Sequence, residues 1–115
     1  MNIEYINTPD NSQLIKLRGE MDATGCAHIR HEIENVTNVK EQSNIILDLS
    51  LISFLDSSGI GMIVFLYKRL KAQGRSLEVY GVQGQPQELM ELLRIDKVIP
   101  VSTGSPETLT EKYYA

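Results

Sequence analysis

The residues whose types and spacing suggest chemistry lie near the middle of the chain, where Asp56, Ser57, Ser58 and Gly59 are followed by Gly61. The side chain of Asp56 or Ser57 can cap a helix by accepting a hydrogen bond from one of its first backbone N–H groups. A cap requires one such side chain and explains neither the second serine nor the two glycines. Because each glycine costs up to about 1 kcal/mol relative to alanine in a helix, we expect the pair to leave the first turn bare for a large partner.

Ser57 is also well placed to carry a phosphate group. The helix dipole and free backbone N–H groups at a helix N-terminus stabilise an added dianion within the protein's own structure, although the neighbouring Asp56 carboxylate repels it. A partner docked there would have to desolvate the phosphate or oppose it with its own carboxylates. The sequence therefore predicts that phosphorylation leaves the fold intact and blocks a contact.

The helix that begins at Ser57 has two apolar faces. One stripe at helical spacing is predicted to face the core, and it consists of Ile60, Ile63, Val64, Tyr67 and Leu70. A second face is formed by Met62, Phe65, Leu66 and Arg69. An apolar second face indicates either a partner site or packing beneath a neighbouring helix, and the pattern leaves both open.

Other chemical signals are weak. His28 and His31 lie three positions apart without an HExxH pattern, and no dinucleotide, Walker A or GxSxG motif is present. An aspartate-phosphorylated receiver would use Asp48, but it also requires an acidic cluster near the first strand and a lysine for which Lys97 is the only candidate. We therefore expect no catalytic residue, no metal site and no enzymatic activity.

Bulk composition indicates one domain spanning residues 1–115, because domains most often contain roughly 100–150 residues. With 11 basic and 15 acidic residues, the net charge of -4 disfavours nucleic acid as a direct partner. The single cysteine, Cys26, is expected in the core. The apolar run at 60–67 is too short to span a membrane, and no signal peptide is recognisable, so we expect a cytoplasmic protein.

The elements that must position these residues alternate between strand and helix periodicity. Strands are predicted at 3–6, 13–17, 44–49, 77–81 and 98–101, with a turn at 50–53. Helices are predicted at 23–40, capped by Asp22 or Thr24, at 57–73, and from Pro86 with Leu89, Leu92 and Leu93 facing inward. A closing helix is predicted at 106–112. This order predicts an α/β fold with a mixed sheet.

Several of these segments together resemble the STAS domain family, and specifically its single-domain anti-sigma factor antagonists. The matching segments are 17–22 (LRGEMD), 45–49, 52–61 (ISFLDSSGIG), 67–68, Gly74 and 93–99. The resemblance implies a STAS-type mixed β-sheet with helices packed mainly on one face. It also implies that a serine-kinase anti-sigma factor binds the unphosphorylated protein and ends the binding by phosphorylating Ser57.

The resemblance further implies that a PP2C-type serine phosphatase restores binding, and that the protein performs no chemistry of its own and needs no cofactor. Asp22 matches an acidic position near the modified serine, and Ser58 is assigned a supporting role. The expected partner-binding residues are Asp22, Asp56, Ser57, Ser58, Gly59, Gly61, Met62 and Phe65. The same motif also occurs in STAS regulatory modules with non-sigma partners, which control biofilm formation, secretion, signalling enzymes or lipid-transport complexes, and this alternative stays open.

Overall fold

Strands and helices alternate in the computed structural model, which describes residues 1–9, 11–38 and 44–102. The strands are β1 (Asn2–Asn7), β2 (Gln13–Met21), β3 (Asn44–Leu55), β4 (Ser76–Tyr80) and β5 (Val101–Ser102). The helices are α1 (Ala23–Val36), α2 (Ser57–Ala72) and α3 (Gly84–Leu92), followed by a short 3-10 helix at Ile95–Lys97.

The strands form one sheet in the order β1-β2-β3-β4-β5, in which β1 is antiparallel to β2 and the other neighbours are parallel. The predicted mixed α/β sheet is confirmed. Because β2 and β3 are parallel, their carboxyl ends lie side by side, and Met21 pairs with Leu55. Helices α1 and α2 therefore begin next to each other at one edge of the sheet.

Buried side chains of all three helices join one large core cluster with one face of the sheet. From the helices it includes Cys26, Ile29, Ile33, Ile63, Leu66, Leu70 and Met90. The opposite face carries a smaller cluster of Leu14, Ile46 and Tyr80. The prediction that the helices pack mainly on one face is confirmed, as is the burial of Cys26.

The predicted turn at 50–53 is wrong, because β3 continues through it to Leu55. Lys16 pairs with Asp48 but Arg18 pairs with Leu51, and a second register shift follows Gly19. At each shift β3 contains one residue more than β2, which is the geometry of a β-bulge. The two bulges explain the irregular sequence pattern that suggested a turn at 50–53, and β3 continues through them to the residue before Asp56.

Several helix boundaries and faces also differ from expectation. Helix α1 ends at Val36 rather than near residue 40, and the last strand is confined to Val101–Ser102. Leu92 and Leu93 are 77% and 49% exposed, whereas Pro86 and Met90 are the buried residues of α3. Leu66, assigned to the second face of α2, is buried in the core. The predicted helix at 106–112 lies outside the described residues.

Candidate functional site

Two aspartates cap the adjacent N-termini of α1 and α2. Asp22 Oδ1 accepts a hydrogen bond from the Gly25 N–H at 2.8 Å. Asp56 Oδ1 accepts hydrogen bonds from the Ser58 N–H at 2.8 Å and the Gly59 N–H at 3.3 Å. Both caps were among those predicted. Because each aspartate directly follows one member of the paired Met21 and Leu55, the two carboxylates share one edge of the sheet.

Ser57 is the first residue of α2 and its side chain is exposed, whereas Ser58 is half-buried. No hydrogen bond among the described residues uses the Ser57 hydroxyl, so the fold does not depend on it. The expectation that free N–H groups would stabilise a phosphate is corrected in part. The N–H groups of Ser58 and Gly59 are already bonded to Asp56, which competes with any second anion.

The two glycine positions of the motif, Gly59 and Gly61, differ in their surroundings. A Cβ atom at Gly59 would lie 2.6 Å from the Met21 carbonyl oxygen and would also collide with Leu55 Cδ1. Gly59 is therefore required by internal packing, and the expectation that it leaves room for a partner is corrected. Gly61 is exposed, and a Cβ atom there would meet nothing within 4 Å. Only Gly61 leaves α2 bare toward solvent.

A groove of about 460 Å³ runs between α1 and α2. From α2 it is lined by five of the eight expected partner-binding residues, which are Ser57, Ser58, Gly61, Met62 and Phe65. From α1 it is lined by Ala23, Cys26, Ala27, Arg30, Ile33 and Glu34. Phe65 is 41% exposed, and its ring centroid lies 5.9 Å from Arg69 Cζ. The groove thus combines an apolar floor with the exposed serine.

Sequence reasoning missed the α1 wall of this groove. Ala23 and Ala27 lie one helical turn apart, and their small side chains leave space beside α2. Arg30 and Glu34 continue the same wall with charges of both signs. The repeated alanine spacing was the available signal, but it is too common in helices to identify a groove by itself.

Two carboxylates and one guanidinium act on the Cys26 thiol, which lines the groove between α1 and α2. Burial raises the pKa of the Cys26 thiol, the carboxylates of Asp56 and Asp22 raise it further, and Arg30 acts in the opposite direction. A thiol with a raised pKa stays protonated at neutral pH and is a poor nucleophile. Cys26 therefore contributes to packing, and the chemically available group in the groove is the Ser57 hydroxyl.

The described part of the chain contains no cluster of three or more His, Cys, Asp or Glu side chains able to hold a metal ion. The helices of residues 1–9, 11–38 and 44–102 include none with the length and apolar character needed to cross a bilayer.

Comparison with known proteins identifies a family over most of the chain. The STAS domain model matches residues 4–107. The anti-sigma F factor antagonist of Paenibacillus polymyxa is 26% identical over 98 residues, which cover 85% of this chain and 84% of that protein. The anti-sigma-B factor antagonist of Listeria monocytogenes is 29% identical over 93 residues, which cover 81% of each chain.

The fold is similar to that of SpoIIAA, a protein described as an anti-sigma factor antagonist. Its unphosphorylated form superposes with a TM-score of 0.70 and 19% identity, covering 96% of this chain and 94% of that one. The phosphorylated form from Bacillus gives a TM-score of 0.71 and 18% identity, covering 96% and 97%. At these identities the likeness establishes the fold.

Proposed function

The chain belongs to the STAS domain family, and from this premise we propose that it is an anti-sigma factor antagonist switched by phosphorylation of Ser57. The observation that carries the proposal is the position of Ser57, exposed at the start of α2 and at the end of the groove. The two curated relatives are named as antagonists of anti-sigma factors, which supports the same function here.

In the unmodified state, the groove offers an apolar contact to a serine-kinase anti-sigma factor. Met62 and the exposed part of Phe65 accept an apolar side chain of the kinase, and Gly61 lets its backbone approach α2 closely. Docking there brings the Ser57 hydroxyl to the kinase active site. The kinase transfers the γ-phosphoryl group of ATP to Ser57 Oγ, releasing ADP and the hydroxyl proton.

The phosphate ends the contact through its charge and its size. It adds roughly -1.5 to -2 charges at pH 7, beside two carboxylates that already make this edge negative. Asp56 occupies the N–H groups of Ser58 and Gly59, so they are not free to neutralise the phosphate. A docked kinase would have to desolvate this anion, whereas the fold loses no hydrogen bond of its own.

A PP2C-type serine phosphatase completes the proposed cycle by hydrolysing the phosphate ester and restoring the exposed hydroxyl. The output is release of a sigma factor from its kinase, so the protein itself contacts no nucleic acid. This assignment implies that the protein works in the cytoplasm.

The proposal is tested with purified proteins as baits in extract of the source cells. Ser57→Ala is expected to retain the kinase, because it keeps the groove uncharged, and Ser57→Asp is expected to lose it. Ser76→Asp is the charge control, since Ser76 is exposed and lies at the opposite end of the sheet, where its hydroxyl donates only to the exposed Asn44 side chain. It adds the same charge and should bind as the unchanged protein does.

Equal recovery of the kinase by Ser57→Ala and Ser57→Asp would contradict the switch. If Ser57→Ala recovers a non-sigma partner and Ser57→Asp does not, the switch is supported. The protein is then a STAS regulatory module with a non-sigma partner. Mass spectrometry of the chain from growing and stressed cells provides a second readout, because it detects phosphate on Ser57 directly.

A further inference from the structure

The distal half of β3 extends beyond its neighbour β4. The two strands pair from Asn44 and Ser76 as far as Asp48 and Tyr80. Gly81 then adopts a φ of +75°, in the left-handed region, and the chain turns away toward α3. The end of β3, which delivers the chain to Asp56 and Ser57, therefore has β2 on one side and no strand on the other.

Two glutamine side chains take the place of the missing strand. Gln83 Nε2 donates a hydrogen bond to the Ser50 carbonyl oxygen at 3.1 Å. The Gln85 amide makes two bonds to one residue, since the Leu55 N–H donates to Oε1 at 2.8 Å and Nε2 donates to the Leu55 carbonyl oxygen at 2.7 Å. Both Leu55 groups would otherwise lack a sheet partner on this side.

We propose that Gln85 is a positioning residue for Ser57, holding the last residue of β3 so that the Asp56 cap and the Ser57 hydroxyl keep one orientation. The functional part of this inference rests on the proposed phosphorylation switch. Leu55 lies two residues before Ser57, so a change in the backbone conformation of Leu55 also changes the orientation of Asp56 and Ser57.

The position of Gln85 in α3 makes it suited to this task. It lies in the first turn of the helix, immediately before Pro86, which is buried together with Met90. Met90 belongs to the core cluster and Pro86 is buried, so the helix that carries the amide is held against the fold. A side-chain amide carries one acceptor and a donor group side by side, which matches the N–H and C=O of one strand residue.

Loss of the amide leaves the two Leu55 groups to water and lets the strand end fray. The folded core is unaffected, but the motif then samples several orientations, and a docking kinase must first select the correct one. The expected consequence is weaker kinase binding and slower phosphorylation, each by about tenfold, with little change in global stability.

The first test is local and needs no partner. Amide hydrogen exchange by NMR is measured on the unchanged protein, Gln85→Ala and Gln87→Ala. Gln87 is the matched control, because it lies on the same helix and its amide bonds to the exposed Glu91 carboxylate instead of β3. Gln85→Ala should lower protection of the Leu55 amide by about tenfold, with shift changes at 56–59, and Gln87→Ala should not.

A carboxyl substitution gives a readout that a general loss of packing would not produce. In Gln85→Glu the ionised side chain still accepts from the Leu55 N–H but cannot donate to the Leu55 carbonyl. Protonation near pH 4.3 restores a donor of the same shape. The Leu55 and Ser57 amide shifts should therefore move toward those of the unchanged protein as the pH falls below about 4.5.

The second test measures kinase affinity and the kcat/KM of Ser57 phosphorylation for the same variants. Reduced values for Gln85→Ala and unchanged values for Gln87→Ala support the inference. Unchanged Leu55 exchange overturns it, whatever the kinase does. Altered exchange with unchanged phosphorylation overturns the functional part and leaves the switch itself intact. If the unchanged chain binds no kinase, the proposed function fails, and the exchange result still decides whether Gln85 holds the motif.

Discussion

At the scale of single residues, the motif divides into groups that maintain the fold and groups that face solvent. Asp56 and Gly59 maintain the fold, since half-buried Asp56 caps α2 and buried Gly59 fits against Met21 and Leu55. Ser57 and Gly61 are exposed, and the Ser57 hydroxyl takes part in no hydrogen bond among the described residues. The motif therefore contains both residues that maintain the local fold and residues that are exposed to solvent.

Alanine at the two glycines should change stability in opposite directions. Gly59→Ala should destabilise the fold by about 1–3 kcal/mol, because its Cβ overlaps Met21 and Leu55. Gly61→Ala should stabilise it by about 0.5–1 kcal/mol, because it meets no atom within 4 Å and favours the helix. Urea unfolding of both variants checks the signs. A stabilising Gly59→Ala would show that the packing at the start of α2 is looser than the structure shows.

At the scale of elements, α3 ends in an unusual way. Arg94 follows the last turn with φ 57° and ψ 31°, the left-handed conformation in which helices most often place glycine. Its N–H donates to the Glu91 carbonyl oxygen at 3.1 Å, which satisfies one orphan acceptor of the helix. The bend directs the chain into the 3-10 helix and then to β5.

Arg94→Gly should relieve this backbone strain and stabilise the protein by about 0.5–1 kcal/mol, after allowing for the greater freedom of glycine in the unfolded chain. Lys97→Gly is the control, because Lys97 lies in the adjacent 3-10 helix without a positive φ and should be destabilising. Thermal unfolding compares the two. If Arg94→Gly is no more stable than the unchanged protein, the arginine side chain must itself contribute to this turn.

At the scale of the whole molecule, net charge and burial determine how the stability of the fold depends on pH. The chain carries a net charge of -4, and two of its carboxylates cap helices at the edge where Ser57 lies. Burial raises the pKa of Cys26 above its ordinary value of 9.0. Burial, together with a smaller effect of the Glu32 charge, raises the pKa of Tyr5 above its ordinary value of 10.0. Both groups hold their protons more tightly when folded.

The contribution of Cys26 to the free energy of unfolding should therefore be fully present below about pH 9. It should fall as the pH rises through the raised pKa of the Cys26 thiol, since the unfolded chain then binds fewer protons than the folded one. Urea midpoints at pH 7.5 and pH 10 measure the fall. Cys26→Ala should reduce the difference between the two midpoints, even though it lowers both, and Tyr5→Phe removes the other contribution. An unchanged difference in Cys26→Ala would show that the thiol does not titrate differently on folding.

Local sequence alone determined the alternation of elements, the two aspartate caps and the exposed serine at the start of α2. These features follow from periodicity and from hydrogen bonds between residues at most three positions apart, as in Asp56 with Ser58 and Gly59. The same local rules failed at 50–53, because a β-bulge interrupts the regular alternation of a strand as a turn does, and only pairing with β2 distinguishes them.

The tertiary structure decided which faces are buried and which residues meet. Helix α3 has two alternative apolar stripes, and packing against the core buries Pro86 and Met90 while leaving Leu92 and Leu93 exposed. The groove needs α1 beside α2, and the bonds between Gln85 and Leu55 join residues 30 positions apart. Such contacts depend on the direction of strands and helices in space, which periodicity along the chain does not contain.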